Sequence, residues 1–364
     1  MAFRKKTVKD VDVAGKTVLV RVDYNVPMKD GAVVEDMRIR GSLQTINYLL
    51  DNGAKKVILI SHLGRPEGQI NPKLSLAPVA ARLAVLMPEK VVRFVDATVG
   101  DKVKQAVAEM PEGSVLLLEN LRFSPMEEAN APVFADAIVE ATGAELFVQD
   151  GFAVIHRAHA STSAIAQRVP SVAGFLLEHE VGNLEAAIAE PERPLLVIIG
   201  GAKVADKQPM INNFLPIADM VAVGGKIAAD GYQVPAELGE AGQKIFVAND
   251  FATDESGAKL DIGEQSTAKI VEMVKQAKTI VWNGTLGMVE DERFEKASLA
   301  VAEAMGASDG LTIVGGGDTT GYVEKVLRTN PNLHFKLIST GGGASLELLS
   351  GEKLPGFEIL QDKE

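Results

Sequence analysis

The sequence lacks several features that would have pointed to particular classes of protein. None of its 364 residues is cysteine, which excludes disulfides, thiolate nucleophiles, iron–sulfur clusters and cysteine-based zinc sites. No apolar run approaches the roughly 20 residues that a membrane helix needs. Basic residues are in deficit: 37 Lys and Arg face 49 Asp and Glu, and the net charge of −12 argues against a general surface for nucleic acid or anionic membranes.

What is present describes a globular protein. Hydrophobic residues make up 46% and charged residues 24%, which excludes disorder, collagen and coiled coil. The length predicts two domains at about 150 residues each. The absence of cysteine is typical of a reducing compartment, and residues 1–13 lack the apolar core of a signal peptide, so we expect a cytoplasmic protein.

Short apolar runs alternate with stretches of helical period along the whole chain, which predicts parallel sheets covered by helices on both faces. The apolar runs are 17–22, 57–60, 91–95, 115–118, 146–148, 195–199, 219–223, 244–247, 279–282, 311–314 and 336–338. The helix-like segments include 41–52, 76–86, 101–109, 264–277 and 294–306. The fold class we predict is α/β, with two doubly wound parallel-sheet (Rossmann-like) domains joined by an interdomain helix and hinge.

We place the boundary between the two domains in the stretch 169–194, where a helical run ends at a proline-flanked stop. We expect an N-terminal domain over 1–172, the interdomain helix and hinge over 173–194, a C-terminal domain over 195–350 and a tail over 351–364.

Arginine and histidine follow the apolar runs of the first half. Because ligands of open α/β sheets bind outside the carboxyl ends of the strands, these side chains can converge on one crevice. The planar guanidinium fork matches carboxylate and phosphate oxygens in pairs, so the crevice is predicted to hold a small, highly anionic molecule. The residues are Arg38, His62, Arg65, Arg122, His156 and Arg157, with Arg38 and Arg40 expected just before the first helix.

Glycine takes the corresponding places in the second half. Glycine lets backbone N–H groups approach an anion closely, and a helix N-terminus behind it adds a favourable dipole. The loops begin at Gly200, Gly224, Asn283, Gly315 and Gly341, and two of them continue into Lys203 and Asp318. This pattern favours a site for nucleotide phosphates.

Other readings of the glycine loops are weaker. Gly15-Lys16-Thr17 resembles the end of a Walker A loop, but Asp10 stands where that motif needs glycine. A dinucleotide dehydrogenase remains an alternative, although Gly315, Gly317 and Gly321 give GxGxxxG rather than GxGxxG. An arginine-lined half and a glycine-lined half best describe a kinase that closes around its substrates, because phosphoryl transfer needs in-line oxygens, excluded water and positive charge.

The sequence resembles the phosphoglycerate kinase family across essentially its whole length. The matching stretches are RVDYNVP (21–27), DMRIRGSL (36–43), SHLGRP (61–66), LLLENLRF (116–123), HRAHAS (156–161), GGAKVADK (200–207), VWNG (281–284), TIVGGGD (312–318) and ISTGGGASLELL (338–349). The resemblance implies reversible, Mg²⁺-dependent transfer of the acyl phosphate of 1,3-bisphosphoglycerate to ADP, giving 3-phosphoglycerate and ATP, by a monomer with no nucleic-acid or membrane partner.

The family's site residues carry over position by position. The glycerate substrate would be held by the N-terminal domain through Asp23, Tyr24, Asn25, Arg38, His62, Leu63, Gly64, Arg65, Arg122 and Arg157. The nucleotide would be held by the C-terminal domain through Gly201, Ala202, Lys203, Lys207, Gly224, Gly225, Asn283, Glu290, Gly316, Gly317, Asp318 and Thr319. Catalytic roles would fall to Arg38, Lys203, Gly317 and Gly341, and Asp318 would hold the magnesium ion. The tail would return toward the N-terminal domain.

The chain departs from the family pattern at a few places. Residues 149–155 alter the approach to Arg157, and the region after Gly225 is shorter than usual and carries Lys226 and Lys259. A catalytically impaired nucleotide-binding homologue therefore stays open as a second alternative.

Overall fold

The computed structural model, which describes residues 3–363, divides the chain into two compact units. The first unit contains the residues up to Val181 and those from Lys353 onward, and the second unit is Gly182–Glu352. The division falls inside a helix of the predicted hinge segment 173–194. Residues 1 and 2 of the predicted N-terminal domain and residue 364 of the predicted tail lie outside the described residues.

The first unit is built on a parallel sheet with the strand order β5-β6-β4-β1-β7-β8. Its strands, with a small hairpin formed by β2 and β3, are β1 (Thr17–Arg21), β2 (Met28–Lys29), β3 (Ala32–Val33), β4 (Lys56–Ile60), β5 (Val92–Val95), β6 (Ser114–Leu118), β7 (Leu146–Gln149) and β8 (Ser171–Ala173). Its helices are α1 (Met37–Asp51), α2 (Ala77–Leu86), α3 (Asp101–Glu109), α4 (Pro125–Glu128), α5 (Pro132–Thr142) and the start of α6 (Phe175–Ala189).

Two hydrophobic cores cover the two faces of this sheet. Successive side chains of a strand point to opposite faces, so Val18 and Val20 of β1 join one core while Leu19 joins the other. Burial on both faces explains why the strands read as continuous apolar runs rather than as alternating ones.

The second unit repeats this architecture with the strand order β11-β10-β9-β14-β15-β16. Its strands, including a separate antiparallel hairpin of β12 and β13, are β9 (Leu195–Ile199), β10 (Met220–Val223), β11 (Ile245–Val247), β12 (Phe251–Thr253), β13 (Lys259–Ile262), β14 (Thr279–Asn283), β15 (Leu311–Gly315) and β16 (Leu337–Ile338). Its helices are α7 (Val204–Phe214), α8 (Gly225–Ala229), α9 (Glu264–Gln276), α10 (Lys296–Gly306), α11 (Gly317–Thr329) and α12 (Gly343–Leu349). The predicted fold class is confirmed.

The structure corrects several local expectations. Helix α1 begins at Met37, so Arg38 and Arg40 lie in its first turn rather than before it. Strand β8 and the hairpin of β12 and β13 were not expected, because strands of three or four residues are too short to show a period. Among residues 3–363, no helix combines the length and apolar character needed to cross a membrane.

The tail that follows the second unit packs on the first unit and contains a short helix, α13 (Pro355–Glu358). The buried ammonium of Lys5 donates hydrogen bonds of 2.8 Å to the carbonyls of Glu358 and Leu360. The amide of Gly356 donates to the carbonyl of Ile155 at 2.9 Å. The tail is therefore fixed against the loop that leads to Arg157.

A buried carboxylate caps the helix in which the two units divide. Oδ1 of Asp150 accepts hydrogen bonds from the amides of Leu176 and Leu177 at 2.9 and 3.3 Å, in the first turn of α6. Asp150 is fully buried, and burial raises its pKa to about 7.

Asp150→Asn should become more stable relative to the unchanged protein as the pH rises. The folded protein holds the Asp150 proton up to about pH 7 whereas the unfolded chain releases it near 3.8, so this group's contribution to stability falls across that window. The free energy of unfolding of both proteins is measured by urea titration at pH 5 and at pH 8. Between these pH values, the difference between the variant and the unchanged protein should shift in favour of the variant by on the order of 1–3 kcal/mol. The exposed Asp51→Asn is the control, and an equal difference at both pH values would contradict the account.

Candidate active site

The carboxyl ends of β1, β4, β6 and β7 meet at one edge of the first sheet, because these strands are parallel neighbours. The residues that follow them are the ones that the sequence predicts as an anion site. We call Asp23, Arg38, His62, Arg122 and Arg157 the arginine cluster.

Asp23 lies between two other members of the cluster. Its Oδ2 accepts a hydrogen bond from Nη1 of Arg38, and its Oδ1 lies 3.8 Å from Nδ1 of His62. Asp23 and His62 are buried, whereas Arg38 is partly exposed. The carboxylate therefore orients the Arg38 guanidinium while leaving part of it accessible to a ligand.

The loop after β4 is fixed by side chains from two other strand ends. Nη1 of Arg122 donates to the carbonyl of Gly64 at 2.9 Å, and the amide of Gly64 donates to Oδ1 of Asn25 at 2.8 Å. Arg65, the next residue, is exposed. This arrangement holds Arg65 at the same edge of the sheet as Arg122.

Positive charge is concentrated at this edge. Desolvation and the guanidinium groups of Arg21, Arg122 and Arg38 hold the pKa of His62 well below its usual range. Desolvation lowers the pKa of His156 as well, with Arg157 and Arg122 acting in the same direction. The neutral imidazoles therefore lie in a field of arginine charge, which favours a highly anionic ligand.

Two residues of the predicted substrate site do not offer their side chains. The ring of Tyr24 is fully buried in the core, and its hydroxyl forms a 2.8 Å hydrogen bond with Ser42. The side chain of Leu63 is also buried. Only the main chain of either residue remains for a ligand. Arg40, exposed and paired with Asp36, is turned to that carboxylate instead of joining the cluster.

The second unit contains a pocket of about 260 Å³ at the carboxyl ends of its strands, which we call the glycine pocket. Its lining comprises Gly201, Ala202, Gly225, Lys226, Ala229, Lys259, Leu260, Asp261, Thr285, Gly287, Met288, Glu290 and Asp318. We call Asp318 and the loop after β9, which are the polar part of the lining, the polar end, and Ala229, Leu260 and Met288, which are an apolar part, the apolar end. An elongated ligand with an anionic end and a flat apolar end fits this distribution.

The glycines after β9 and β10 serve close packing, and the amides of Gly201 and Gly224 are engaged by the backbone. The amide of Gly201 donates to the carbonyl of Thr285 at 2.9 Å, and that of Gly224 donates to Ile199 at 2.8 Å. A Cβ on Gly225 would lie 2.6 Å from the carbonyl oxygen of Thr285. These loops therefore touch the loop after β14 backbone to backbone, and this contact shapes the pocket wall.

Amides are available instead at the start of α11. Gly317, Asp318 and Thr319 form its first turn, in which backbone N–H groups have no partner within the helix. Thr319 is buried, and its hydroxyl accepts a 2.8 Å hydrogen bond from the amide of Gly284. The loop after β16 contributes less than expected, because the amide of Gly341 already donates to Ser339 at 3.1 Å.

Lys207 reaches the strand ends from α7. Its ammonium donates to Oδ1 of the buried Asn283, the last residue of β14. Burial lowers the pKa of Lys207, while the carboxylates of Asp206 and Asp318 act in the opposite direction. Lys203 is exposed just before α7, and Glu290 is exposed at the pocket. Lys207 therefore lies beside the polar end of the pocket, since a Cβ on Gly201 would be 3.6 Å from its Cε.

The sequence reasoning missed three buried charged or polar residues beneath the arginine cluster, namely Arg21, Glu127 and Ser161. The signal for Arg21 was present, because an arginine inside the apolar run 17–22 has to be buried with a partner. Nothing local marked Glu127 or Ser161.

Two open α/β sheets in one chain, one with an arginine cluster at its ligand-binding edge and one with a pocket beside free helix amides, define the class of two-domain phosphotransferases. The family profile described as phosphoglycerate kinase matches residues 8–245 and 232–352. The chain belongs to the phosphoglycerate kinase family.

Individual relatives match over the whole chain. The phosphoglycerate kinase of Moorella thermoacetica is 44% identical over 398 aligned residues, covering 99% of this chain and 100% of the relative. That of Clostridium perfringens is 42% identical over 403, covering 100% of both. The solved phosphoglycerate kinases of Pyrococcus horikoshii and Coxiella burnetii superpose with TM-scores of 0.83 and 0.79, at 29% and 32% identity, each covering 98% of both chains.

Gly225→Ala should destabilise the second unit and weaken nucleotide binding. Its φ of +62° costs an L-residue about 1–2 kcal/mol, and the contact with Thr285 adds about 1–3 kcal/mol. Gly257→Ala is the matched control, because Gly257 has a φ of +85° but nothing within 4 Å of an added Cβ. If the urea concentration at the midpoint of unfolding fell equally in both variants, the packing role of Gly225 would be contradicted.

Proposed function

We propose that this protein is a phosphoglycerate kinase in activity, transferring the acyl phosphate of 1,3-bisphosphoglycerate to ADP and, in reverse, the γ-phosphate of ATP to 3-phosphoglycerate. The observation that carries the proposal is the match of the whole chain to curated phosphoglycerate kinases, one of them 44% identical over 100% of its own length. A dinucleotide dehydrogenase and a catalytically impaired homologue gain no support from these comparisons.

The arginine cluster is proposed to bind the glycerate substrate. A bisphosphorylated three-carbon acid carries several negative charges, and Arg38, Arg65, Arg122 and Arg157 supply planar forks that match its oxygens. Asp23 and Asn25 would hold the side chains of the cluster in position and contact hydroxyl groups of the substrate. Arg38 would reach the phosphoryl group in transfer, since it is partly exposed and oriented by Asp23.

The glycine pocket is proposed to bind ADP or ATP. Its apolar end would take the base and Glu290 the ribose hydroxyls, while Lys203, Lys207 and the first-turn amides of α11 would take the phosphates. Because the amide of Gly341 is already engaged, the role proposed for that loop falls to Gly342 and Gly343.

The residues at the polar end fit a magnesium ion that arrives with the nucleotide. Mg²⁺ keeps several waters and is usually held by one or two carboxylates plus substrate phosphates, and Asp318 is an exposed carboxylate in the first turn of α11. Residues 3–363 contain no cluster of three or more His, Asp or Glu that would bind a metal without substrate. The ion would neutralise charge that develops on the transferred phosphoryl group.

The chain's own contribution to the reaction is positioning and charge. The attacking oxygen of ADP is already ionised, so no general base is needed, and one bond from phosphorus to the acyl oxygen is exchanged for one to the β-phosphate oxygen. Arg38 and Lys203 would stabilise the equatorial oxygens of the phosphoryl group in flight. Closure about the segment 173–194 would bring the two substrates together and exclude water. We further propose a cytoplasmic monomer, on the family resemblance.

A coupled assay tests the proposal. The protein is mixed with 3-phosphoglycerate, ATP, Mg²⁺, NADH and an acyl-phosphate-reducing dehydrogenase, and loss of NADH absorbance is followed. We expect oxidation of NADH that requires 3-phosphoglycerate, ATP and Mg²⁺ together. No oxidation would identify an impaired homologue, and fluorescence enhancement of NADH by this protein alone would favour the dehydrogenase alternative.

Arg38→Ala should retain the fold and lose turnover by about 10²–10³-fold, the range for removing one preorganised donor from a developing anion. Arg40→Ala is the matched control on the same helical turn, because Arg40 is exposed and paired with Asp36. Comparable kcat values for the two variants would remove the role of Arg38. Circular dichroism verifies that both fold.

Lys207→Ala should raise the KM for ATP about 10-fold or more and leave the KM for 3-phosphoglycerate within twofold, because a charge-assisted hydrogen bond contributes roughly 1.5–3 kcal/mol. Lys269→Ala, a solvent-exposed lysine paired with Glu272 on α9, should change neither value. A larger effect on the glycerate KM would mean that the two units are assigned to the wrong substrates.

A further inference from the structure

One arginine beneath the arginine cluster has no place in the proposed chemistry. Arg21 is the last residue of β1 and is only 1% exposed, so it does not touch a ligand in the way that Arg38 does. Its guanidinium is nevertheless satisfied by neighbours. Nε donates to Oγ of Ser161 at 2.9 Å, Nη1 donates to the carbonyl of Val22, and Nη2 lies 3.1 Å from Nδ1 of His62.

The contact between Arg21 and His62 fixes the tautomer of the imidazole. A guanidinium carries donors and no acceptor, so Nδ1 of His62 has to be the unprotonated nitrogen that accepts the bond. The competing partner, Oδ1 of Asp23, is 3.8 Å from Nδ1, which is beyond hydrogen-bond distance. The ring proton is left on Nε2, the nitrogen turned away from Arg21.

A second set of contacts holds Arg21 in place. Oγ of Ser161, which accepts from Arg21, donates to Oε1 of Glu127 at 2.5 Å, and the amide of Ser161 donates to Oε2 of the same carboxylate at 3.0 Å. Glu127 is fully buried on α4, and its negative charge acts on Arg21 more strongly than that of Asp23. The chain of contacts therefore runs from Glu127 through Ser161 and Arg21 to His62.

A neutral ring with its proton on Nε2 is a hydrogen-bond donor on one side only. The positive groups around His62, which are Arg21, Arg122 and Arg38, oppose a second proton on the ring, and burial acts in the same direction. A carboxylate or phosphate oxygen accepts hydrogen bonds and does not donate them. Because Arg21 occupies Nδ1, Nε2 is the ring nitrogen left for such an oxygen, and it donates when it carries the proton.

We propose that Arg21 is a positioning residue that holds His62 in the Nε2–H tautomer, so that His62 donates a hydrogen bond to an anionic oxygen of the glycerate substrate. The substrate half of this inference rests on the proposed function, whereas the tautomer half is a property of the free protein. Arg21 thus acts on the substrate through His62, without contacting it.

The experiment reads the tautomer directly by ¹⁵N NMR of the histidine-labelled free protein, with the His62 ring assigned from His62→Gln. The expected spectrum at pH 7 has an unprotonated Nδ1 and a protonated Nε2. A protonated Nδ1, or a ring protonated on both nitrogens, would overturn the inference without the need for any variant.

Arg21→Met tests the positioning role, because methionine fills part of the space and donates no hydrogen bond. The His62 ring should then lose its single tautomer, and the Kd for 3-phosphoglycerate, measured by calorimetry, should rise about 10-fold or more while the Kd for ATP stays within twofold. Ser161→Ala, which leaves Arg21 but breaks its link to Glu127, should give a smaller change of the same kind and serves where Arg21→Met does not fold.

Arg93→Met is the matched control, since Arg93 is an exposed arginine of the same sheet that donates to the carbonyl of Glu109. It should change neither the ring nor either Kd. An altered tautomer with an unchanged Kd for 3-phosphoglycerate would overturn the substrate role. If the protein without substitutions binds 3-phosphoglycerate but does not catalyse phosphoryl transfer, the proposed kinase activity would be contradicted and the role of Arg21 would not be.

Discussion

The first unit depends on the pairing of one buried guanidinium with one buried carboxylate. Arg21 ends the central strand β1, and a charge at that depth is tolerated only when it is paired and fully hydrogen-bonded. Ser161 joins it to Glu127 at 2.9 and 2.5 Å. This linkage ties together the ends of distant chain segments. It also keeps Arg21 buried while Arg38 stays partly exposed and accessible to a ligand.

The second unit depends on glycine at its strand ends. Its strand ends approach each other through backbone: a Cβ on Gly200 would lie 2.3 Å from the carbonyl oxygen of Thr285, and one on Gly284 would lie 2.1 Å from that of Gly200. Such contacts are possible only without side chains, so glycine is required there for packing. The positive end of α11 and the side chain of Lys207 then supply the charge.

The alternation of apolar runs with helical segments was enough to predict both parallel sheets, because strands buried on both faces read as unbroken apolar runs. His62 and Arg122 could be placed at the sheet edge because they come soon after those runs, whereas Arg38 was expected just before the first helix and lies in its first turn. The sequence could not show that the amides of Gly201, Gly224 and Gly341 already form hydrogen bonds within the protein. A glycine needed for packing and a glycine needed to bind an anion look alike in sequence. Tyr24 could not be assigned to the core either, because its partner Ser42 lies on a separate helix.

In the proposed reaction the phosphoryl group passes directly between two bound substrates, and the chain supplies position and charge but no nucleophile. The stereochemistry at phosphorus tests this claim most directly. ATP made chiral at the γ-phosphorus with three oxygen isotopes is turned over with 3-phosphoglycerate, and the configuration of the product is read after transfer to a reference alcohol. A single in-line displacement predicts inversion; net retention would reveal a phosphorylated enzyme and contradict the account.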